Sequence, residues 1–582
     1  MYDNKLVEIP KDTGKITFNK RGNTTYVEYT YDRIYDPAKK YNRAKRTTIG
    51  KMSEENSDMM YPNPNFSKYF PDAQLIETVN ESDASRSSCI RVGAFAVIEK
   101  IIEEYRLYDH FDEWDDYEKG MFLDLAAYSI VTESNVAQHY PEYAYNHPLM
   151  TPKNKIYSDS SISRFLSKIS DDDRISFIQK WNEHRDHKER IYVSYDSTNK
   201  NCKAGDIEKA EYGHAKVDVG APVFNYAIAF DTSNQVPLFY EDYPGSIVDV
   251  SQLRYMVDRI KSYNYRNIGI ILDRGYFSKE NIRYIEECKY DFVIMAKGHR
   301  SFVNSLVLEH KNTFEEKRSC AIKEYRTYGK TVSGKLYADD EKERYFHIYY
   351  KPGKSSGERI KIEDNLQRME SHMEKCKGKV VDLGAQYEAY YELTYHEKDG
   401  IRKFYGYKER EDVIERELKL CGYFVIVTSR KMTAEEALCL YKSRDVSEKL
   451  FCSDKSFLGN RSLRVSGNEA AESKIFIEFV ALIIRSRMYT LLRKRMAEMA
   501  KKPNYMTVPA AIRELEKIEL IRQADGHYRL DHAITATQKT ILGAFGIDEE
   551  TMKESITQIG KKLENAAAPE QEDDEDGSYE DY

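Results

Sequence analysis

The chain has 582 residues, 32% charged and 41% apolar, a balance that suits a soluble globular protein. That length is too great for one simple core and points to about two to four domains. The eight cysteines are scattered, without a CxxC pair or a histidine at zinc-ligand spacing, which excludes a disulfide framework and a structural zinc site and implies a reduced, cytoplasmic chain.

The net charge of −8 misleads, because residues 569–582 carry eight acids and no base; without them 89 bases face 89 acids. The remainder is uneven. Residues 1–51 hold twelve Lys/Arg against six Asp/Glu, and residues 474–522 hold eleven against five, so both ends of the folded body are basic. Such patches serve nucleic-acid contact or simply solubility. The start, "MYDNKLVEIPKD", lacks a basic-then-apolar signal pattern. The most apolar helix, "KIFIEFVALIIRSRMYTLL" from Lys474, is broken by Glu478, Arg485 and Arg487, which predicts a core helix and no membrane span.

In chain order, residues 1–75 alternate in short β-like runs ("KITFNKRGNTTYVEYTYDRIY") and close on "YPNPNFSKYFPD", predicting a β-rich N-terminal module. Residues 76–190 turn helical, with Ser and Asp at N-cap positions, as a helical bundle or a DNA-binding helix-turn-helix. From 191 to 300 the strands "IYVSYDST", "FNYAIAFD" and "VPLFYEDY" precede alternating helix and strand, a mixed α/β sheet. Residues 301–420 read as a β-rich insertion of charged, Tyr-rich segments. The sheet resumes over 421–500, a helix–hairpin–helix module with a D-G turn fills 501–562, and the acidic tail, 563–582, is too polar to fold.

Asp196 closes the apolar alternation of "IYVSYDST" and Asp273 closes "NIGIILDRG", so both carboxylates fall at strand C-termini, where open α/β sheets place their sites. The alternative is that each Asp caps the turn that follows. In "YKSRDVSEKLFCSDK", read as a helix, Tyr441, Arg444, Glu448 and Lys455 fall at about 0°, 300°, 340° and 320°, one narrow stripe. Two strand-end carboxylates joined by Glu448 repel one another unless a cation intervenes. Hard oxygen donors without His or Cys favour Mg²⁺, with Mn²⁺ able to substitute. Two such ions about 3.5–4 Å apart activate a water or a 3′-hydroxyl and stabilise the leaving oxygen of a phosphodiester. Arg444 and Lys455 then stand where flanking phosphates pass, and Tyr441 can hydrogen-bond another. The bland alternative is an Arg444–Glu448 pair at i, i+4 worth ~0.2–0.5 kcal/mol, which leaves Tyr441 and Lys455 without a role.

The spacing Y-x2-R-x3-E-x6-K at Tyr441, Arg444, Glu448 and Lys455, with "YDST", "GSIVDVSQL" and "LDRGYFSKENI", resembles the signature of DDE transposases of the insertion-sequence-four group. The resemblance spans roughly 190–500, with weaker similarity in "KRTTIGKM…YPNPNFSKYF" and "TATQKTILGAFGI". It implies a ribonuclease H-like core interrupted by the β-rich insertion, with Asp196, Asp273 and Glu448 as metal ligands. It further implies cleavage at insertion-sequence ends and transfer of 3′-hydroxyls into target DNA. Tyr441, Arg444 and Lys455 would contact the terminal inverted repeats, and a homodimer would form the synaptic complex. One departure concerns the Trp on which family members stack a flipped base in the insertion. This chain has only Trp114 and Trp181, both before the core, so Tyr405 or Tyr407 would have to substitute and the hairpin step is open. His214, Lys216 and Arg274 flank the two Asp as secondary candidates. Two other readings stand beside the transposase: a hydrolysis-only ribonuclease H-like nuclease, and an inactive or repurposed end-binding protein.

Overall fold

The computed structural model describes the chain outside residues 1–6, 12–14, 22–23, 37–40, 54–56, 72–85, 186–188, 203–206, 214–219, 248, 266, 297–299, 399, 446–461, 464, 466, 501 and 567–582. The chain divides into two compact units, Met1–Ser87 and Ser88–Tyr582.

The first unit is an antiparallel sheet of β1 (Val7–Glu8), β2 (Ile16–Arg21), β3 (Thr24–Asp36), β4 (Tyr41–Met52) and β5 (Met59–Pro62) in the order β1-β5-β4-β3-β2. Its core is small: Val7, Val27, Ile49 and Met60 pack with Phe66 from the helix Pro64–Tyr69. Asn63 caps that helix by accepting from the Asn65 N–H, and Pro64 at its first position loses no bond there.

The second unit opens with β6 (Cys89–Arg91) and the helices Gly93–Glu104, Asp116–Thr132, Tyr140–Asn146, Asp159–Lys168 and Asp171–Glu183. The caps expected from sequence form: Ser158 accepts from the Ser161 N–H, and Ser170 and Asp173 close a reciprocal capping box. Both tryptophans belong to this helical layer, Trp181 fully buried and Trp114 stacked on Phe111 at 4.7 Å.

A ten-stranded sheet follows. The strands β7 (Ile191–Cys202), β8 (Val223–Asp231) and β9 (Val236–Pro244) form an antiparallel meander. After the helix Asp249–Ser262, β10 (Ile268–Leu272) returns parallel to β7. After the helix Lys279–Glu287, β11 (Asp291–Met295) runs parallel to β10. All five residues of β10 are buried, since Ile268, Ile270 and Leu272 enter one apolar cluster and Ile271 another on the opposite face; hence its unbroken run "IGIIL". Gly269 lies opposite Tyr192, and a Cβ there would collide with the Tyr192 ring.

Segment 301–420, expected to be β-rich, is mixed. It holds β12 (Ala321–Ile322), β13 (Thr327–Gly334), β14 (Arg344–Tyr350), β15 (Tyr391–Lys398) and β16 (Ile401–Glu409). It also holds the 25-residue helix Pro352–Cys376 and the helix Glu411–Leu420. Moreover, β14 pairs with β17 (Tyr423–Thr428), which in turn pairs antiparallel with β11, so β12 to β14 extend the main sheet. Only the β15–β16 hairpin stands apart, packed on the long helix through Leu366, Met373, Tyr391 and Phe404.

Beyond this, β18 (Ser462–Leu463) pairs with the end of β7. The helix Asn468–Glu498 is buried from Ala470 to Ser486 along most of its length, and no described helix is long and apolar enough to cross a membrane. The C-terminal part carries the expected helix, Val508–Leu515, and a hairpin, β19 (Glu519–Arg522) and β20 (Tyr528–Leu530). Gly526 at φ 85° supplies the left-handed turn position. That hairpin is not a free-standing module: β6 adds to it as a third strand.

Candidate active site

The register of β10 on β7 builds the site. Leu272 pairs with Tyr195, so the next residue on each strand, Asp273 and Asp196, falls side by side. Along β7 the apolar Ile191, Val193 and Tyr195 enter the main core, which turns Tyr192, Ser194 and Asp196 to the opposite face. Asp196 is not at a strand end as the sequence suggested. The strand continues to Cys202 because Ser197 to Asn201 remain paired with β8 and buried. Asp273 does end its strand, and it caps the following turn: its Oδ1 accepts from the Arg274 N–H at 2.7 Å.

The helix Ala434–Ser443 crosses this face. Its N-terminus is fixed by a capping box between Thr433 and Glu436. Leu438 and Tyr441, three residues apart, bury against Ile271, Val293 and Ile426 of the sheet, and Ala437 is buried on the same helix. Arg444 is the C-cap of this helix, so Tyr441 and Arg444 form its last turn; Asp445 is again helical, and the rest of the stretch expected to be helical, 446–455, lies outside the described residues.

The Tyr441 hydroxyl donates to Asp273 Oδ1 at 3.3 Å, and Arg444 Nη1 stands 4.0 Å from both Asp196 Oδ2 and Asp273 Oδ1. Arg444 is 10% exposed at its side chain and lies over the Tyr441 ring at 5.4 Å. Asp196 Oδ1 accepts from the Ser197 N–H at 3.0 Å. A largely buried guanidinium therefore holds two adjacent carboxylates against their mutual repulsion.

The structure thus gathers Asp196, Asp273, Tyr441 and Arg444. Glu448, Lys455, His214 and Lys216 lie outside the described residues. The Arg274 side chain is exposed, and its contact to Asp273 is through the backbone. Of the two tyrosines considered for stacking, Tyr405 is 64% exposed, whereas Tyr407 donates to Glu374 at 3.1 Å and packs on Tyr391. The sequence reading missed the backbone N–H of Ser197 and of Arg274 as the groups that aim the carboxylates; Gly275, which marks a turn just after Asp273, is a signal for the second, and nothing local marks the first.

Asp196 and Asp273 supply hard oxygen donors, which suit Mg²⁺ or Mn²⁺. Among the described residues no group of three or more His, Cys, Asp or Glu comes together as a metal site, so two donors are placed and a third is not.

The sheet and its paired carboxylates define a mixed α/β protein with two acidic side chains brought together on one face, and sequence comparison gives the family. The model of the transposase DDE domain matches residues 189–484, just over half of the chain, and the chain belongs to that family. It is also similar to a cryo-EM structure of a piggyBac transposase synaptic complex with hairpin DNA, at 8% identity and a TM-score of 0.32, over 83% of this chain and 86% of that one. A Drosophila P element transposase strand transfer complex matches at 9% identity and a TM-score of 0.19, over 78% and 92%. Comparison with curated proteins gave no match.

Proposed function

We propose that this transposase belongs to the insertion-sequence-four group, cuts phosphodiester bonds at the ends of its element and joins the freed 3′-hydroxyls to target DNA. The observation that carries the reading is the β7–β10 register, which sets Asp196 beside Asp273 with Tyr441 and Arg444 over them. The order β9-β8-β7-β10-β11, an antiparallel meander continued by two parallel strands, supports a ribonuclease H-like core. The segment between β11 and β17 is then the insertion, with the sequence-derived domain limits around it.

Asp196 and Asp273, with Glu448 as the third ligand, would hold Mg²⁺ or Mn²⁺. When bound, the metal supplies an activated water or 3′-hydroxyl and stabilises the leaving oxygen. The protein's own part is orientation and charge. The Arg274 N–H and the Tyr441 hydroxyl fix the Asp273 carboxylate, and the Ser197 N–H fixes Asp196. Arg444 screens the pair until DNA arrives and then offers its planar fork to a phosphate beside the scissile bond. Lys455 adds a second phosphate contact, Tyr405 presents a face for a displaced base, and two copies of the chain synapse two ends.

The test is cleavage of duplex DNA bearing the gene's own flanking termini, with Mg²⁺ or EDTA, by the native chain, Asp196→Asn, Asp273→Asn and Glu448→Gln. Metal-dependent cleavage at the termini that falls by roughly 10³-fold or more in each variant is expected. Joined products separate transposition from simple hydrolysis. Terminus-specific binding without cleavage in any form would instead mark an end-binding protein.

A further inference from the structure

In the first unit, β3 and β4 outrun the sheet that contains them. Pairing of β2 on β3 stops at Tyr29, and pairing of β5 on β4 stops at Gly50. The next turn of chain is still supported, since Tyr31 stacks on Tyr69 and Asn65 donates to Thr47 and to the Thr48 carbonyl. Beyond it, Asp32–Asp36 and Tyr41–Lys45 continue as a two-stranded ribbon with no third strand among the described residues. Five cross-strand pairs make it about 17 Å long.

A two-stranded ribbon without a core is marginal alone, and hiding its apolar side chains would help it. This one exposes them. Ile34 is 48% exposed and Tyr35 58%, and because they are neighbours on one strand they project from opposite faces. Each is set among bases: Ile34 pairs with Arg43, and Arg33 and Ala44 pair beside Tyr35 and Asn42. Arg33, Arg43, Lys45 and Arg46 are all exposed, against Asp32 and Asp36, and Lys45 meets Asp32 at 3.6 Å. The ribbon's strand edges are thus basic, a feature that discourages addition of a strand from a second copy.

We infer that this ribbon is a DNA-recognition element that enters the major groove of duplex DNA. A B-form major groove about 12 Å wide and 8.5 Å deep admits a two-stranded ribbon, whereas the major groove of duplex RNA is too narrow. The face that carries Arg33 and Tyr35 turns to the guanine edges and thymine methyls, while Arg43, beside Ile34 on the other face, reaches a flanking phosphate. The element lies outside residues 189–484, so it is separate from the catalytic domain. The choice of DNA as partner rests on the proposed function.

The experiment uses the full chain and compares the native protein with the double variant Arg33→Ser/Arg43→Ser and with Tyr35→Ser. The probes are a duplex with the gene's flanking termini and an RNA duplex of the same sequence, over a salt series, with circular dichroism as the folding check. The double variant should lower the slope of log affinity on log salt by about 2 and weaken DNA binding by roughly tenfold or more. Protection of guanine N7 should vanish over one tract. Should the double variant fail to fold, a benzophenone side chain at position 35 of the otherwise native chain should crosslink to the same tract. Unchanged affinity, slope and N7 pattern would overturn the inference, as would equal losses on RNA or a change in oligomeric state with DNA binding intact. Ribbon-dependent binding without cleavage supports this inference and counts against the catalytic one; cleavage with a dispensable ribbon does the reverse.

Discussion

Two aspartates in sequence become a pair only through register, and the residues that aim them do so at modest cost. Tyr441 is 3% exposed, so its ring is a core side chain whose hydroxyl happens to reach Asp273. Tyr441→Phe keeps the ring and deletes one hydrogen bond, worth about 0.5–1.5 kcal/mol. The expected result is a stability change within that range, read from urea unfolding, and a several-fold loss of cleavage. A loss as deep as that of Asp273→Asn would show that the hydroxyl does more than orient a carboxylate. At this scale the sequence was informative where spacing is local. The three-residue step from Tyr441 to Arg444 put both on one helix face, and "ILDRG" placed Asp273 at a strand end. It could not show that Arg444 faces carboxylates before any phosphate, because that depends on a strand 250 residues away.

Elements were legible where periodicity and caps agree. The run "IGIIL", the Ser158 and Ser170 caps and the long apolar helix from Lys474 all fall where expected. The end of β7 was not legible, because "NKN" after "IYVSYDST" reads as a polar loop, yet all three of its residues are buried. The reason is pairing: β8 satisfies the backbone, and Lys200, fully buried, forms an ion pair with Glu478 of the long helix. Lys200 also lies 4.9 Å from the Tyr226 ring. Likewise the helix Pro352–Cys376 escaped notice because only four of its residues, Ser355, Leu366, Met373 and Cys376, are buried and its periodicity is weak. The buried pair makes an element-level prediction. Lys200→Met strands the Glu478 charge and should cost about 3–5 kcal/mol, whereas Lys200→Met with Glu478→Leu should recover most of it, because an apolar pair needs no desolvation. Denaturant midpoints for the two single variants and the double variant test this. A double variant as unstable as the sum of the singles would mean that the ion pair is worth more than the apolar contact replacing it.

For the whole molecule, acid sensitivity follows from two histidines buried in different layers. His347 on β14 lies between the Thr331 and Thr428 hydroxyls, at 2.9 and 3.0 Å, and burial lowers its pKa to about 4. His110, in the helical layer against Phe177 and Trp181, is lowered to about 4 by burial, with His184 and Arg185 adding like charge. Each pKa lies below its unfolded value of about 6.5, so between those limits the unfolded chain binds more protons and stability rises with pH. The contribution is complete above about pH 6.5 and is lost as pH falls through 4, on the order of a few kcal/mol per histidine. Glu241 acts oppositely. Burial raises its carboxyl above the ordinary value despite bonds from Tyr195 and Gln252, so its share weakens as pH rises past the usual carboxylate range. Comparison with a histidine variant removes that background. His347→Gln keeps an uncharged partner for both threonines and should flatten the stability–pH slope between 6.5 and 4.5 by up to about 1.4 kcal/mol per pH unit. The reading comes from the urea transition of the sheet, since a chain of two compact units need not unfold in one step. Parallel slopes for native and variant chains would mean that His347 is protonated inside the fold, and the neutral Thr–His–Thr bridge across β13, β14 and β17 would have to be abandoned.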